Sequence, residues 1–371
     1  MPPSLPAKKK NGPFGHSSKK EWVKAAKQEL GVDHPIEELI QKIDGIELFP
    51  YYDQGDLPSS IDFQLPSSQN EVAEPRHWVN MPRIVVNDPS IANLEALQAL
   101  NSGADGILFE LQGSPDADVL LKEIELPYCQ TAFLADIGHE KFFHGFCRLV
   151  NKKKINPSSL QGAIFWKEPP PIPVELMKWF NGWTQFHAMG IVVEDQASPS
   201  AGIAGLLAKA VKQIDNSVKN GMAIKDALCA IAFTVSIGMD FFLEIARLKT
   251  VRILWQHVAN AYDPHSSSSL FIHATSKADA TSTYEPHGNM LKGTVCSVSA
   301  ILGGCDALTV EAEDPLHPMM SRVALNVSSI LREEAYLGKV SDPTAGSYFL
   351  ENLVDRMAEE SWKKFQALVK S

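Results

Sequence analysis

The chain alternates short, β-rich apolar runs with longer stretches of helical period. The β-rich runs fall at 84–86, 107–111, 131–135, 163–166, 191–193, 233–237, 270–273 and 307–310. Helical patterns fill the intervals, at 91–100, 141–150, 203–218, 239–260, 289–302 and 318–336. Several strands are unbroken apolar runs, the pattern of parallel strands covered on both faces. Eight strands, each followed by a helix, fit a closed (β/α)8 TIM barrel or a doubly wound sheet, and the count and even spacing favour the barrel. The fourth unit is the least regular, because Pro169 to Pro171 and Pro173 interrupt its helix start.

Outside the barrel, residues 21–30 form a short amphipathic helix stopped by Gly31. Residues 50–82 are rich in Pro, Ser and Asp and read as an extended arm anchored by aromatics such as Trp78. A last helix is expected at 352–370. The chain therefore divides into a tail, helix and arm (1–82), a barrel (83–337) and a C-terminal segment with its helix (338–371). Trp22, Tyr51, Tyr52 and Trp78 suit either a wrap around a second chain or packing on the chain's own barrel.

A length of 371 residues fits one barrel with extensions. The formal charge of −10 argues against a nucleic-acid groove, and Lys8 to Lys10 with Lys19 and Lys20 make too short a basic tail to reverse that. No run approaches the ~18 apolar residues of a membrane span, and no apolar signal core opens the chain, so a cytoplasmic protein without membrane association is expected. Cys129, Cys147, Cys229, Cys296 and Cys305 lie in apolar patterns with no CxxC pair, as expected of buried thiols in a reducing compartment.

Chemistry in such a barrel belongs at the C-terminal ends of the strands. The polar residues there are Asn87, Asp88, Glu110, Gln112, Asp136, His139, Lys167, Glu168, Glu194, Asp195, Ser236, His273 to Lys277, and Glu311. Carboxylates near a histidine can support acid–base work, but Asp88, Asp136 and Asp195 read better as caps of the helices that follow. His273 fits a structural hydrogen bond as well as a functional role. No metal site is expected: His139 and His144 are five apart, and HExxH is absent. Gly303-Gly304 precedes a strand and reads as a turn, and no GxSxG elbow occurs.

Four segments carry a resemblance. FFLEIARLKTVRILW at 241–255, YEPHGNMLKGT at 284–294, GGCDALTV at 303–310 and DPTAGSYFLE at 342–351 resemble, in order and spacing, the methylmalonyl-CoA mutase family. The helix with Trp22 and the segment 46–51 resemble the family's opening more loosely. The resemblance implies a barrel from enzymes that rearrange the carbon skeleton of a CoA thioester through radicals from adenosylcobalamin. In active members CoA threads a barrel lined by small polar side chains. Here the strands carry Ile84, Ile107, Phe109, Phe133, Phe165, Trp166 and Val193, which predicts a filled core.

The family's HxQTSG loop corresponds to His273-Ala-Thr-Ser-Lys, which makes His273 the catalytic candidate and Thr275, Ser276 and Lys277 the substrate-binding ones. The Gln is dropped and Lys277 replaces the Gly. The second catalytic histidine corresponds to Val193, and valine cannot donate a hydrogen bond to a thioester carbonyl; His187 lies six residues upstream. The cobalamin motif DxHxxG is absent and the chain ends at Ser371, so no cobalamin-binding domain is expected.

These departures resemble the small (β) subunit of heterodimeric mutases. They imply a large catalytic subunit as partner, adenosylcobalamin in that partner complex, and no cofactor on this chain alone. A homodimer and an acyl-CoA ligand are the other associations expected. Two other functions stay open: an active acyl-CoA mutase with a divergent site built on His273, and an unrelated barrel hydrolase or lyase using Glu110, Asp136 and Glu194. An open axial channel would favour CoA binding; a packed axis would favour a scaffold.

Overall fold

Each of the eight β-rich runs becomes a strand of one parallel sheet in the computed structural model, which describes residues 18–57, 75–168, 173–180, 182–192, 198–264, 270–276, 288–314 and 317–370. We number the barrel strands β1 (in two pieces, Val79–Asn80 and Arg83–Val86), β2 (Gly106–Leu111), β3 (Gln130–Ala135), β4 (Gln161–Trp166), β5 (Gln185–Val192), β6 (Ile231–Ile237), β7 (Phe271–Ser276) and β8 (Ala307–Thr309). The first piece of β1 pairs with β8 and the second with β2, so one interrupted strand closes the ring. Met81 N donates to the Leu308 carbonyl at 2.9 Å, and the Pro82 carbonyl accepts from Leu108 N at 3.0 Å. The ladder thus crosses the interruption even though Pro82 has no N–H to give.

Helices Pro89–Asn101, Glu140–Lys152, Pro199–Lys219, Phe241–Tyr262, Gly288–Gly303 and Pro318–Glu333 cover the outside. Asp88 caps the first of them through Ser90 N and Ile91 N. The proline-interrupted fourth unit still forms a helix, Pro173–Trp179. The second unit has only the single turn Ala117–Leu120, too short for any period to announce. The C-terminal helix, Tyr348–Lys370, packs on Pro199–Lys219 and Phe241–Tyr262.

Successive strand residues face opposite sides of the sheet, and the buried clusters show which side is which. Ile84, Ile107, Phe109, Phe133 and Trp166 pack outward against the helices with Phe143 and Phe146. Of the residues expected to fill the axis, Phe165 alone does so among the described positions, and Val193 lies outside them. The axis is nevertheless filled. Met81, Leu108, Phe165 and Phe271, with Ala132, Ala163, Ala232 and Ala307 from the intervening strands, form a separate cluster inside the ring. Gly190 makes room for one of these rings: a Cβ there would stand 2.7 Å from the Phe165 ring.

The N-terminal helix Lys19–Leu30 starts on a capping box between Ser18 and Glu21. A small hairpin follows, Gln41–Ile43 against Ile46–Leu48. Its Asp44-Gly45 turn holds both residues at positive φ, 54° and 82°, as a two-residue turn of the primed type requires. Asp44 then bonds Ser198 Oγ and Ser200 N at the start of helix Pro199–Lys219, and pairs with Lys364 at 3.1 Å. The N-terminal segment is thereby tied to the C-terminal helix. Tyr52 meets Phe349 edge-on and Trp22 lies against Tyr51. Buried Trp78 donates to Ser328 Oγ at 2.8 Å. These aromatics pack on their own chain. Among the described residues no helix is long and apolar enough to cross a membrane.

Candidate site at the barrel mouth

The C-terminal ends of the strands gather a closed set of charges. Arg83, inside the ring on β1, reaches Glu110 at 3.2 Å and Glu311 at 2.9 Å. Lys167, just past β4, stands 3.4 Å from Glu110 and 3.5 Å from Asp136. Three carboxylates therefore meet two cations across the mouth. Asp136 pairs with Lys167 and offers no side-chain cap to the helix that follows. Burial pushes the Glu311 carboxyl above its ordinary range, although Arg83 pulls the other way. Its Oε1 has no hydrogen-bond partner among the described residues.

One step deeper along β7 lies His273, fully buried between two threonines. Its Nδ1 is 2.7 Å from Thr234 Oγ1 and its Nε2 is 2.8 Å from Thr309 Oγ1. The Thr309 hydroxyl donates its single proton to the Met81 carbonyl, so towards His273 it can only accept. Nε2 therefore carries the ring proton, and Nδ1 accepts from Thr234. Burial, with the nearby positive charge of Arg83, pushes the imidazole down to about 3. The ring also leans on Phe165 at 5.5 Å between centroids. His273 is thus a neutral side chain with both nitrogens engaged.

The other candidates take separate places. Thr275 points into the mouth from β7, half-buried, while Ser276 faces outward and accepts from Glu311 N at 3.0 Å. His187 stacks on Phe271 at 5.5 Å and its Nδ1 bonds the Cys229 carbonyl at 2.7 Å. Burial holds its imidazole below the ordinary range. Asn87 and Glu168 are exposed. Val193, Glu194, Asp195 and Lys277 lie outside the described residues.

Arg83, Thr234 and Thr309 organise the site and were missed in the sequence. The threonines had a signal, since they alternate with outward apolar residues on β6 and β8. Arg83 had none, because the stagger of the barrel decides that the first residue of a strand piece reaches its mouth.

His273, the imidazole of this site, is not free to ligate the cobalt of the cobalamin that the resemblance implies. A cobalt ligand needs an imidazole nitrogen with a free lone pair. The lone pair of His273 Nδ1 takes the Thr234 hydroxyl, and its other nitrogen is protonated. Among the described residues no group of three His, Cys, Asp or Glu side chains could hold a metal ion.

Residues 181–371 match the family model described as methylmalonyl-CoA mutase. The chain is 25% identical over 390 residues to the "methylmalonyl-CoA mutase small subunit" of Porphyromonas gingivalis, covering 95% of this chain and 63% of that protein. It is 30% identical over 192 residues to the "probable methylmalonyl-CoA mutase small subunit" of Mycobacterium tuberculosis, covering 49% of this chain and 30% of the relative. The "methylmalonyl-CoA mutase" of Escherichia coli is 27% identical over 208 residues, which span 52% of this chain and 29% of that protein. The chain thus spans less than two thirds of the length of the curated relatives it matches.

Proposed function

This chain belongs to the methylmalonyl-CoA mutase family, and we propose that within it the barrel acts as a non-catalytic small-subunit component that supports a large, catalytic, cobalamin-dependent acyl-CoA isomerase subunit. The observation that carries the reading is the packed axis. Phe165 and Phe271 stand 6.5 Å apart across the ring interior with His273 and Met81 beside them. An acyl-CoA threaded along that axis would have to displace aromatic side chains from a close-packed core, which costs about 3–5 kcal/mol for each large ring.

The neutral tautomer of His273 supports the same reading. A residue acting on a thioester carbonyl needs a donor directed at the substrate, and the one N–H of His273 is given to Thr309. The mouth carboxylates are largely taken up by Arg83 and Lys167, so they serve this reading as a polar cover over the core. Adenosylcobalamin belongs, in this reading, to the partner complex. The five cysteines, four of them buried, suit the cytoplasm, where such a complex would work.

The test is co-purification of the tagged chain with the large mutase chain of the same organism, with isomerase turnover assayed with and without it. Stable association with raised turnover or a longer-lived large subunit is expected. A chain that never associates and leaves turnover unchanged sinks the proposal. Calorimetry with acyl-CoA is the complementary measurement: saturable binding abolished by His273→Ala would transfer the case to an active isomerase.

A further inference from the structure

At the opposite, N-terminal end of the barrel a cleft of about 170 Å³ opens between helix Phe241–Tyr262, the end of helix Gly288–Gly303 and the entry to β8. It compares with the cavity of about 150 Å³ that admits benzene in a protein core, but its walls are charged. Arg76, Lys249 and Arg252 face Asp306 and Asp342 across it. Two of the cations are matched: Lys249 pairs with Asp342 at 2.7 Å and Arg252 with Asp306 at 2.9 Å. Cys305, also in the wall, adds no charge, because burial pushes its thiol up to about 12.

The third cation has no such partner. Arg76 spends Nη1 on the carbonyls of Ile301 and Leu302, the latter at 2.9 Å, at the end of helix Gly288–Gly303. Among the described residues no carboxylate forms an ion pair with it. Its Nη2 makes no hydrogen bond among the described residues and lies beside Gly304, where a side chain would sit 3.5 Å from it. Burial disfavours the charge and holds the group below its ordinary range, although Asp342 and Asp306, each already paired with another cation, pull the other way. Three cations against two carboxylates leave the recess one positive charge in excess, and a buried charge short of a counter-charge is costly. A planar fork with free N–H donors matches the oxygens of a phosphate or carboxylate.

We propose that this cleft binds a small oxyanion, the phosphate or carboxylate group of a ligand, through the unused face of Arg76. The site lies at the other end of the barrel from the mouth and stands independently of the non-catalytic reading.

The experiment is calorimetric and thermal-shift titration of the full chain with inorganic phosphate and with succinate, each against chloride at equal ionic strength. Saturable binding of at least one anion is expected, weakened about tenfold or more in Arg76→Gln; the stronger of the two identifies the ligand group. Because Arg76 also caps a helix, a crystal of the unaltered chain grown with selenate provides the second measurement, and anomalous density beside Arg76 is expected. No saturable effect of either anion beyond chloride, or selenate bound only elsewhere, overturns the proposal.

Discussion

His273 is the side chain on which the two readings of the site turn. The sequence placed it after a family loop pattern and left structure and function equally open; only the positions of Thr234 and Thr309 settle where its proton sits. Its folded pKa, pushed down to about 3, lies far below the ordinary value of 6.5. Below pH 6.5 the unfolded chain takes up a proton that the folded chain refuses, so stability falls with falling pH until about 3. Each such histidine contributes at most about 1.4 kcal/mol per pH unit in that window. Asp44 and Asp342 are held low by their hydrogen bonds and ion pairs against the upward push of burial. They weaken the fold only once pH drops below their ordinary 3.8. Urea denaturation at pH 7.5 and 5.5 therefore reads mainly the histidines, with the raised carboxyl of Glu311 acting in the opposite sense. His273→Asn should flatten the fall in stability while lowering stability at both. An unchanged slope in that variant would mean that the imidazole is not held neutral.

At the scale of elements, three of the four family segments form structural joints with one another. In helix Phe241–Tyr262, Arg252 donates to the carbonyls of Leu270 at 2.9 Å and Gly304 at 2.7 Å, besides its pair with Asp306. Asp306 in turn accepts Ile272 N at 2.7 Å, so one arginine fixes the entries of β7 and β8. Lys249 on the same helix reaches Asp342, which Thr344 also bonds through its N–H and hydroxyl. Those joints explain why the segments were legible in the sequence and why they say more about the barrel than about catalysis. Arg252→Met is expected to cost about 2 kcal/mol, part of the pair being solvent-screened, and Arg252→Lys should rescue less than half of it, since an ammonium cannot span three acceptors. Chemical denaturation of both variants checks this; wild-type stability in Arg252→Lys would mean that charge alone matters. Less legible was β5, which starts at Gln185 rather than near Ile191. Its first residues, Gln185 and His187, alternate with apolar ones instead of forming a run, and a register shift opposite Ala163 and Phe165 breaks the pattern further.

For the whole molecule, the ring of eight strands was readable from spacing, but the direction of each side chain was not. Unbroken apolar runs carry no phase, so Phe109, Phe133 and Trp166 looked as suited to the axis as Phe165, and the register alone assigns them outward. The axis consequently holds fewer large groups than the sequence suggested, and each matters more. If it is a core, Phe165→Ala should destabilise the chain by about 3–5 kcal/mol, and Phe271→Ala by a similar amount. The two rings stack on each other at 6.5 Å between centroids, so the double variant should lose less than the sum of the singles. An apolar void carved there should also bind a small aromatic such as benzene and recover part of the lost stability. If the axis were instead a ligand channel held shut by these rings, truncation would cost little and would create affinity for an acyl-CoA. Denaturation curves of the single and double variants, with and without benzene and acyl-CoA, separate the outcomes. A loss below about 1 kcal/mol for either single variant would remove the packed core on which the scaffold reading depends.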